Sequence, residues 1–181
     1  MAGFTFRKRL DGANGSPSEF SLVGANSVVF QVGDLIRVNT GGFAALATAG
    51  DLILGVVTGV TDSKDTRTDP DSGTLDTYTM TSTNQTVALR KVKYIPALQE
   101  YLFYNDSDDT LARTNLFQYF PINDENDVDG SNPSDATLNT VRLIEIDPDG
   151  DGDASKGLFQ IVESFWAQNA GGTVDTSGIE A

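Results

Sequence analysis

The chain has 181 residues, enough for one domain with a substantial core, and it contains neither cysteine nor histidine. That excludes disulfides, thiolate chemistry, Ser-His and Cys-His nucleophile pairs and the usual zinc ligands, so the expectation is a protein that is not an enzyme. The net charge of −14 lies wholly in the second half: residues 1–94 hold nine acids and nine bases, whereas residues 95–181 hold seventeen acids against Arg113, Arg142 and Lys156.

A field of that sign repels nucleic-acid phosphates, and no nucleic-acid partner is expected. No stretch approaches the roughly 20 apolar residues of a membrane span, so no membrane partner is expected either. The basic residues near the start are followed by turn formers and not by an apolar run, which reads against a secretory signal peptide.

Residues 1–18 read as an N-terminal arm. Phe4 and Phe6 alternate with Thr5, Arg7-Lys8-Arg9 follow, and Asp11 to Pro17 is loop material. Two readings stand: an extended arm that docks on a partner through its aromatics and basic trio, or an edge strand whose charges discourage aggregation. From residue 19 to 168 a β domain is expected, with a looser second part from about residue 105 and a flexible tail over 169–181.

The stretch 33–60 organises the domain. Gly-Asp-Leu-Ile occurs at Gly33–Ile36 and again at Gly50–Ile53, and each copy opens an apolar run. Glycine supplies a positive φ for a turn and aspartate bonds to its own backbone there. With Asn39-Thr40-Gly41-Gly42 between them, the pattern predicts a meander of strand, turn, short strand, turn, strand.

Residues 61–74 contain no apolar residue and read as an exposed loop. Residues 75–80 and 86–92 partly alternate and predict a hairpin. Residues 99–120 carry Tyr101, Phe103, Tyr104, Phe117, Tyr119 and Phe120, material for a core or an interface. Residues 121–138 read as a second polar loop. Strands are expected over 139–146 and 157–166. Strand-sized runs recur with turn signals throughout and no helical period is sustained, so the fold class is all-β, a β-barrel or β-sandwich-like domain with long acidic loops.

The sharpest chemical motif is Asp147-Pro-Asp149-Gly-Asp151-Gly-Asp153. Aspartates at positions 1, 3 and 5 with glycine at 6 match the front half of an EF-hand loop, where alternate oxygens converge on Ca²⁺. Position 12 is Leu158, not the bidentate glutamate, and the flanks read as strands. The favoured reading is a solvated acidic turn with no cofactor. The alternative is a weak calcium site at Asp147, Asp149, Asp151 and Asp153. Glycosidase-type carboxylate pairing has nothing to bury one carboxyl and raise its pKa.

The order Gly-Asp-aliphatic, strand, Gly-Gly turn, small apolar run, Ala-Gly-Asp, Gly-Val-Val over residues 20–60 resembles the decoration, or cement, proteins of tailed bacteriophages, and Glu100 to Asp106 is similar to a late strand of that family. The resemblance implies a β-barrel-like or β-tulip domain, a homotrimer, and the major capsid protein as partner. It also implies a place on the outer surface of a virion assembled in the host cytoplasm. On that reading Phe4, Phe6, Arg7, Lys8 and Arg9 of the arm contact the capsid. Two other classes are carried beside it: a calcium-stabilised β-sandwich that binds glycans or cell surfaces, and another virion part such as a tail-tube or fibre subunit.

Overall fold

Leu35-Ile36, Ile53-Leu54, Val56-Val57 and Tyr94-Ile95 are adjacent apolar pairs. Neighbouring side chains of a strand point to opposite faces, so a sheet built from such pairs needs cover on both sides. The computed structural model, which describes residues 3–12, 16–62, 77–79, 90–133 and 140–166, shows how the cover is supplied.

The doubly buried sheet has five antiparallel strands. In spatial order they are β2 (Phe20–Val23), β8 (Arg90–Pro96), β6 (Gly55–Asp62), β4 (Leu35–Val38) and β5 (Ala44–Leu46). One member of each apolar pair (Leu35, Ile53, Val56, Ile95) enters a core shared with a second sheet. The other member (Ile36, Leu54, Val57, Tyr94) enters a separate core with Phe30 and Val92. Phe30 comes from β3 (Val29–Gln31), which pairs with β7 (Thr77–Thr79).

The second sheet also has five strands, in the order β1 (Thr5–Arg9), β9 (Tyr101–Asp106), β14 (Lys156–Ile161), β13 (Val141–Ile146) and β10 (Tyr119–Phe120). Its inward face supplies Phe103, Phe120, Val141, Leu143, Phe159 and Ile161 to the shared core. The architecture is therefore all-β and sandwich-like. An isolated bridge from Gly24 to Ala44 joins the ends of the first sheet's two edges, but the sheets do not close into a barrel.

Several expectations are decided or corrected. Of the two readings kept for the N-terminal residues, the edge strand is the one seen: β1 pairs with β9, and Phe4, expected to contact a partner, is buried in the shared core. The meander is reordered. β4, not β5, lies in the middle, because β5 has three residues and Leu54 N–H donates to Ile36 O at 2.7 Å. β7 pairs with β3 while β8 pairs with β2 and β6, so the hairpin expected between 75–80 and 86–92 is not the pairing of the described residues.

The polar stretch 121–138 contains a short hairpin of β11 (Ile122–Asp124) and β12 (Asp127–Val128), and Ile122 and Val128 are core residues. Strands from beyond residue 105 complete the sheet that β1 begins. Most of the expected 61–74 loop, and the tail from residue 169, lie outside the described residues.

The two Gly-Asp turns use one device twice. The carboxylate of Asp34 accepts the Gln31 N–H at 2.6 Å, and that of Asp51 accepts the Thr48 N–H at 2.8 Å. Gly33 and Gly50 take φ of 100° and 87°. Gly33 has a further constraint. Phe4 N–H donates to Gly33 O at 2.9 Å, and a Cβ on Gly33 would lie 2.9 Å from the Gly3 Cα.

Gly33→Ala is expected to cost more than roughly 2 kcal/mol, since it combines left-handed strain with a backbone clash. Gly42→Ala, at a φ of 77° with open space around the new methyl, carries the strain alone, about 1 kcal/mol. Urea unfolding of both variants checks this, and equal losses would remove the crossing as the cause.

Candidate interaction surface

Of the five residues expected to contact a partner through the arm, the structure withdraws one and half-buries two, Phe6 and Arg9. Phe4 is wholly inside. Phe6 stands edge-on to Tyr101 and Phe103, with ring centroids 5.2 and 6.0 Å away. A register shift between Phe6 and Lys8 marks a bulge at Arg7, which re-aims the basic side chains.

Those three cations meet acids of their own chain. Arg7 pairs with Asp149 and lies over the Tyr104 ring at 5.7 Å. Lys8 Nζ is 2.9 Å from Glu145. Arg9 is 3.4 Å from Asp11 and 3.7 Å from Glu100. Across the ladder Leu102 stands between Lys8 and Gln160, and Leu158 between Tyr104 and Glu145. Both leucines are buried on that outer face, among long polar side chains whose stems can cover apolar surface.

The Asp147–Asp153 turn joins β13 to β14, and its carboxylates are engaged within the chain. Asp147, at a φ of 47°, accepts the N–H groups of Asp151 at 3.0 Å and Gly152 at 2.9 Å. Asp149 holds Arg7. Asp151 holds Lys156 and accepts the Asp153 N–H at 3.0 Å. Asp153 accepts the Ser155 N–H at 3.1 Å and its hydroxyl at 2.6 Å. The Lys156 bond holds the Asp151 carboxyl below its ordinary range, and the Ser155 bonds do the same for Asp153. Among the described residues no group of three or more acids is arranged to hold a metal ion.

Asp34, which is buried, behaves in the opposite way, as does Asp127, whose carboxyl burial also pushes up. Burial pushes the Asp34 pKa up to about 6 against the pull of the Gln31 N–H and of Asn126, 3.4 Å away; the charges of Glu125 and Asp124 push the same way as burial. Asn126 also accepts, through its carbonyl, the side-chain N–H of Asn105 at 3.0 Å, and the Asn105 oxygen accepts the Gly3 N–H at 3.2 Å. One polar chain thus ties the N-terminus, β9, the β11–β12 hairpin and the start of β4.

The open apolar surface lies elsewhere. Phe20, on edge strand β2, is 48% exposed, and Trp166 is 38% exposed. Their rings lie 6.1 Å apart, and Phe20 is 6.1 Å from Tyr94. The indole N–H donates to Leu54 O at 2.6 Å, which fixes the Trp166 ring to the doubly buried sheet. The sequence holds these residues 146 positions apart, so only strand periodicity could have hinted that either belongs to a surface. A groove of about 540 Å³ beside β1 is lined by Phe4, Phe6, Pro17, Val32, Thr58 and Ile95 among others, with Glu19 as its carboxylate.

Comparison with protein-family models, with curated proteins and with solved structures returned no match to this chain.

The raised pKa fixes a pH dependence. A carboxyl that holds its proton longer when folded than when unfolded contributes stability that is fully present below the unfolded value near 4 and is lost as pH rises through about 6. Asp34→Asn cannot ionise and escapes that loss. Its melting temperature minus that of the native chain is therefore expected to grow by ~3 °C or more between pH 4 and pH 7; a constant difference across that range would remove Asp34 as the cause.

For the acidic turn, calcium titration followed by the amide resonances of residues 147–153 is expected to give no saturable shift. A saturable one would restore the calcium site.

Proposed function

We propose that this chain is a structural protein of a virion, a decoration or cement protein that binds the outer surface of a tailed-phage capsid as a homotrimer and stabilises it. The observation that carries the reading is the ordered resemblance over residues 20–60, a stretch that builds most of the doubly buried sheet. That stretch places its one exposed aromatic, Phe20, beside Trp166 on an open edge. Such a rim suits adhesion, since aromatic rings supply large contact area at low entropy cost.

The mechanism is adhesion without chemistry. Phe20 and Trp166 are the apolar anchors against the major capsid protein. Full burial of a large apolar side chain is worth roughly 1.5–3 kcal/mol, and their half-exposed rings would contribute a part of that each. Arg7, Lys8 and Arg9 remain in the proposal as exchangeable contacts, because exposed ion pairs are worth only about 0–1 kcal/mol. A capsid carboxylate could replace Asp149 or Glu145 at little cost. Phe4 has no part in it, being core. The acidic turns would then face solvent.

Co-sedimentation with phage shells prepared without their outer protein tests the proposal. Saturable binding is expected, weakened about tenfold by Phe20→Ser, which removes an anchor worth ~1.4 kcal/mol, and only slightly by Arg7→Gln. Absence of saturable binding to such shells would overturn the reading. Binding indifferent to Phe20→Ser would keep the role and discard this surface. Deletion of residues 1–12 is a poor variant here, because it removes β1 and Phe4 from the core.

A further inference from the structure

Phe117 is held in a conformation that its side chain resists. Its φ is +66°, the left-handed region, which is unusual for a bulky residue. The chain is pinned to β13 on both sides of it: Phe117 N–H donates to Leu143 O at 2.9 Å, and Leu143 N–H donates to Gln118 O at 3.1 Å. The ring is left 58% exposed. Nothing in the core requires it there, and strain of this kind persists where surroundings enforce it, often at binding positions.

The Arg142 guanidinium lies over this ring, 5.5 Å from its centroid. Directly across the ladder from Arg142 is Tyr119, 39% exposed. Arg142 Nε is buried and donates to no acceptor. Among the described residues Arg7, Lys8, Arg9, Arg37 and Lys156 all sit in ion pairs, whereas Arg142 sits in none, although its half of the chain holds seventeen acids. β10 is the last strand of its sheet, with no strand on its outer side among the described residues.

We propose that the Phe117–Arg142–Tyr119 edge is a docking site for an extended acidic segment of a partner protein, which lies along β10 and places a carboxylate on Arg142. The unpaired Arg142 guanidinium selects this occupant by local pairing, against the net negative charge of the half of the chain around it. A planar guanidinium matches a carboxylate in geometry and charge, and its terminal N–H groups, which no acid among the described residues holds, are the donors such a group would accept from. Arginine flanked by two open aromatics is the composition of an interface centre. An uncovered edge strand accepts an extended segment by main-chain pairing. The proposal does not rest on the capsid reading, which uses an edge of the other sheet and, in this one, the opposite edge strand β1.

The probe is a synthetic ten-residue peptide alternating glutamate and valine, with a lysine–valine peptide as control, titrated calorimetrically into the full chain. Binding of the acidic peptide alone is expected, at least tenfold weaker for Arg142→Gln and for Phe117→Gly. Glycine accepts the left-handed backbone without strain, so Phe117→Gly should unfold at no lower a temperature than the native chain while losing the peptide. Arg142→Lys keeps the charge without the planar fork and is expected to fall between. Equal binding of both peptides, or acidic-peptide binding unchanged in Arg142→Gln, overturns the proposal. So does absence of peptide binding together with self-association that Phe117→Gly abolishes, since a second copy would then be the occupant.

Discussion

Everything in this molecule is referred to one backbone crossing. Gly3 and Gly33 lie in contact, each at a positive φ, at a spacing that leaves no room for a Cβ on Gly33. Phe4 N–H bonds to Gly33 O there, while Gly33 N–H bonds to Val57 O at 2.9 Å. The edge of one sheet is thereby tied to the turn that starts β4, the neighbour of the other sheet's middle strand. Phe4 drops into the shared core as a direct consequence. Around the crossing run Asn105, Asn126 and Asp34, a polar chain of two buried members and one partly buried whose members satisfy one another. Such a chain specifies register, because any slip would leave its groups unpaired in a low-dielectric interior. Asp34 bears the cost, as a carboxyl that burial makes harder to ionise.

The two faces of the first sheet divide the remaining work. Its apolar pairs supply both cores, so the strands that carry them must be covered on each side, and the second sheet on one face and Phe30 of β3 on the other supply part of that cover. Among the described residues, part of the surplus negative charge sits in turns that engage their own carboxylates with backbone N–H groups and a few cations. The Asp147–Asp153 turn shows how: four aspartates within seven residues, each with a partner inside the chain. An EF-hand directs the same spacing inward to an ion. Here Asp147 turns its oxygens onto the loop's own backbone, and Lys156 holds Asp151 and Asp153 from the next strand.

How much of this could be read from the sequence follows from the range of each interaction. The repeated Gly-Asp-Leu-Ile announced both turns, because the glycine φ and the aspartate-to-backbone bond are decided within three residues. The strands over 141–146 and 156–161 were legible from alternation. β5 on the outside of β4 was not, since a three-residue strand carries too little pattern to fix its neighbour. The hairpin at 122–128 was hidden because its polar tip dominates the composition while only Ile122 and Val128 reach the core. The N-terminal residues were ambiguous for a sharper reason. A strand of alternating aromatics followed by basic residues fits an arm and an edge strand equally well, and the contact that decides between them joins residues thirty apart in sequence, Gly3 and Gly33.

The same range argument separates aromatics that hold the fold from aromatics available to a partner. Phe4 and Phe20 are alike in chemistry and both belong to apolar-polar alternation near the start of the chain. Phe4 is flanked by a backbone crossing that draws it inward. Phe20 stands at the edge of a sheet whose covering core is already filled by Phe30, Ile36 and Tyr94, so only its side against Tyr94 and Trp166 is occupied. Composition cannot distinguish the two, because neither side chain decides its own fate; the supply of core volume on each face does. The basic trio shows the complementary case. Its side chains are satisfied at the surface by exposed partners, a condition that costs little to make and little to undo. Fixed aromatic edges and exchangeable charged ones can therefore coexist on one chain, and on the proposed adhesion reading contact energy would reside mainly in the aromatics and orientation in the charges.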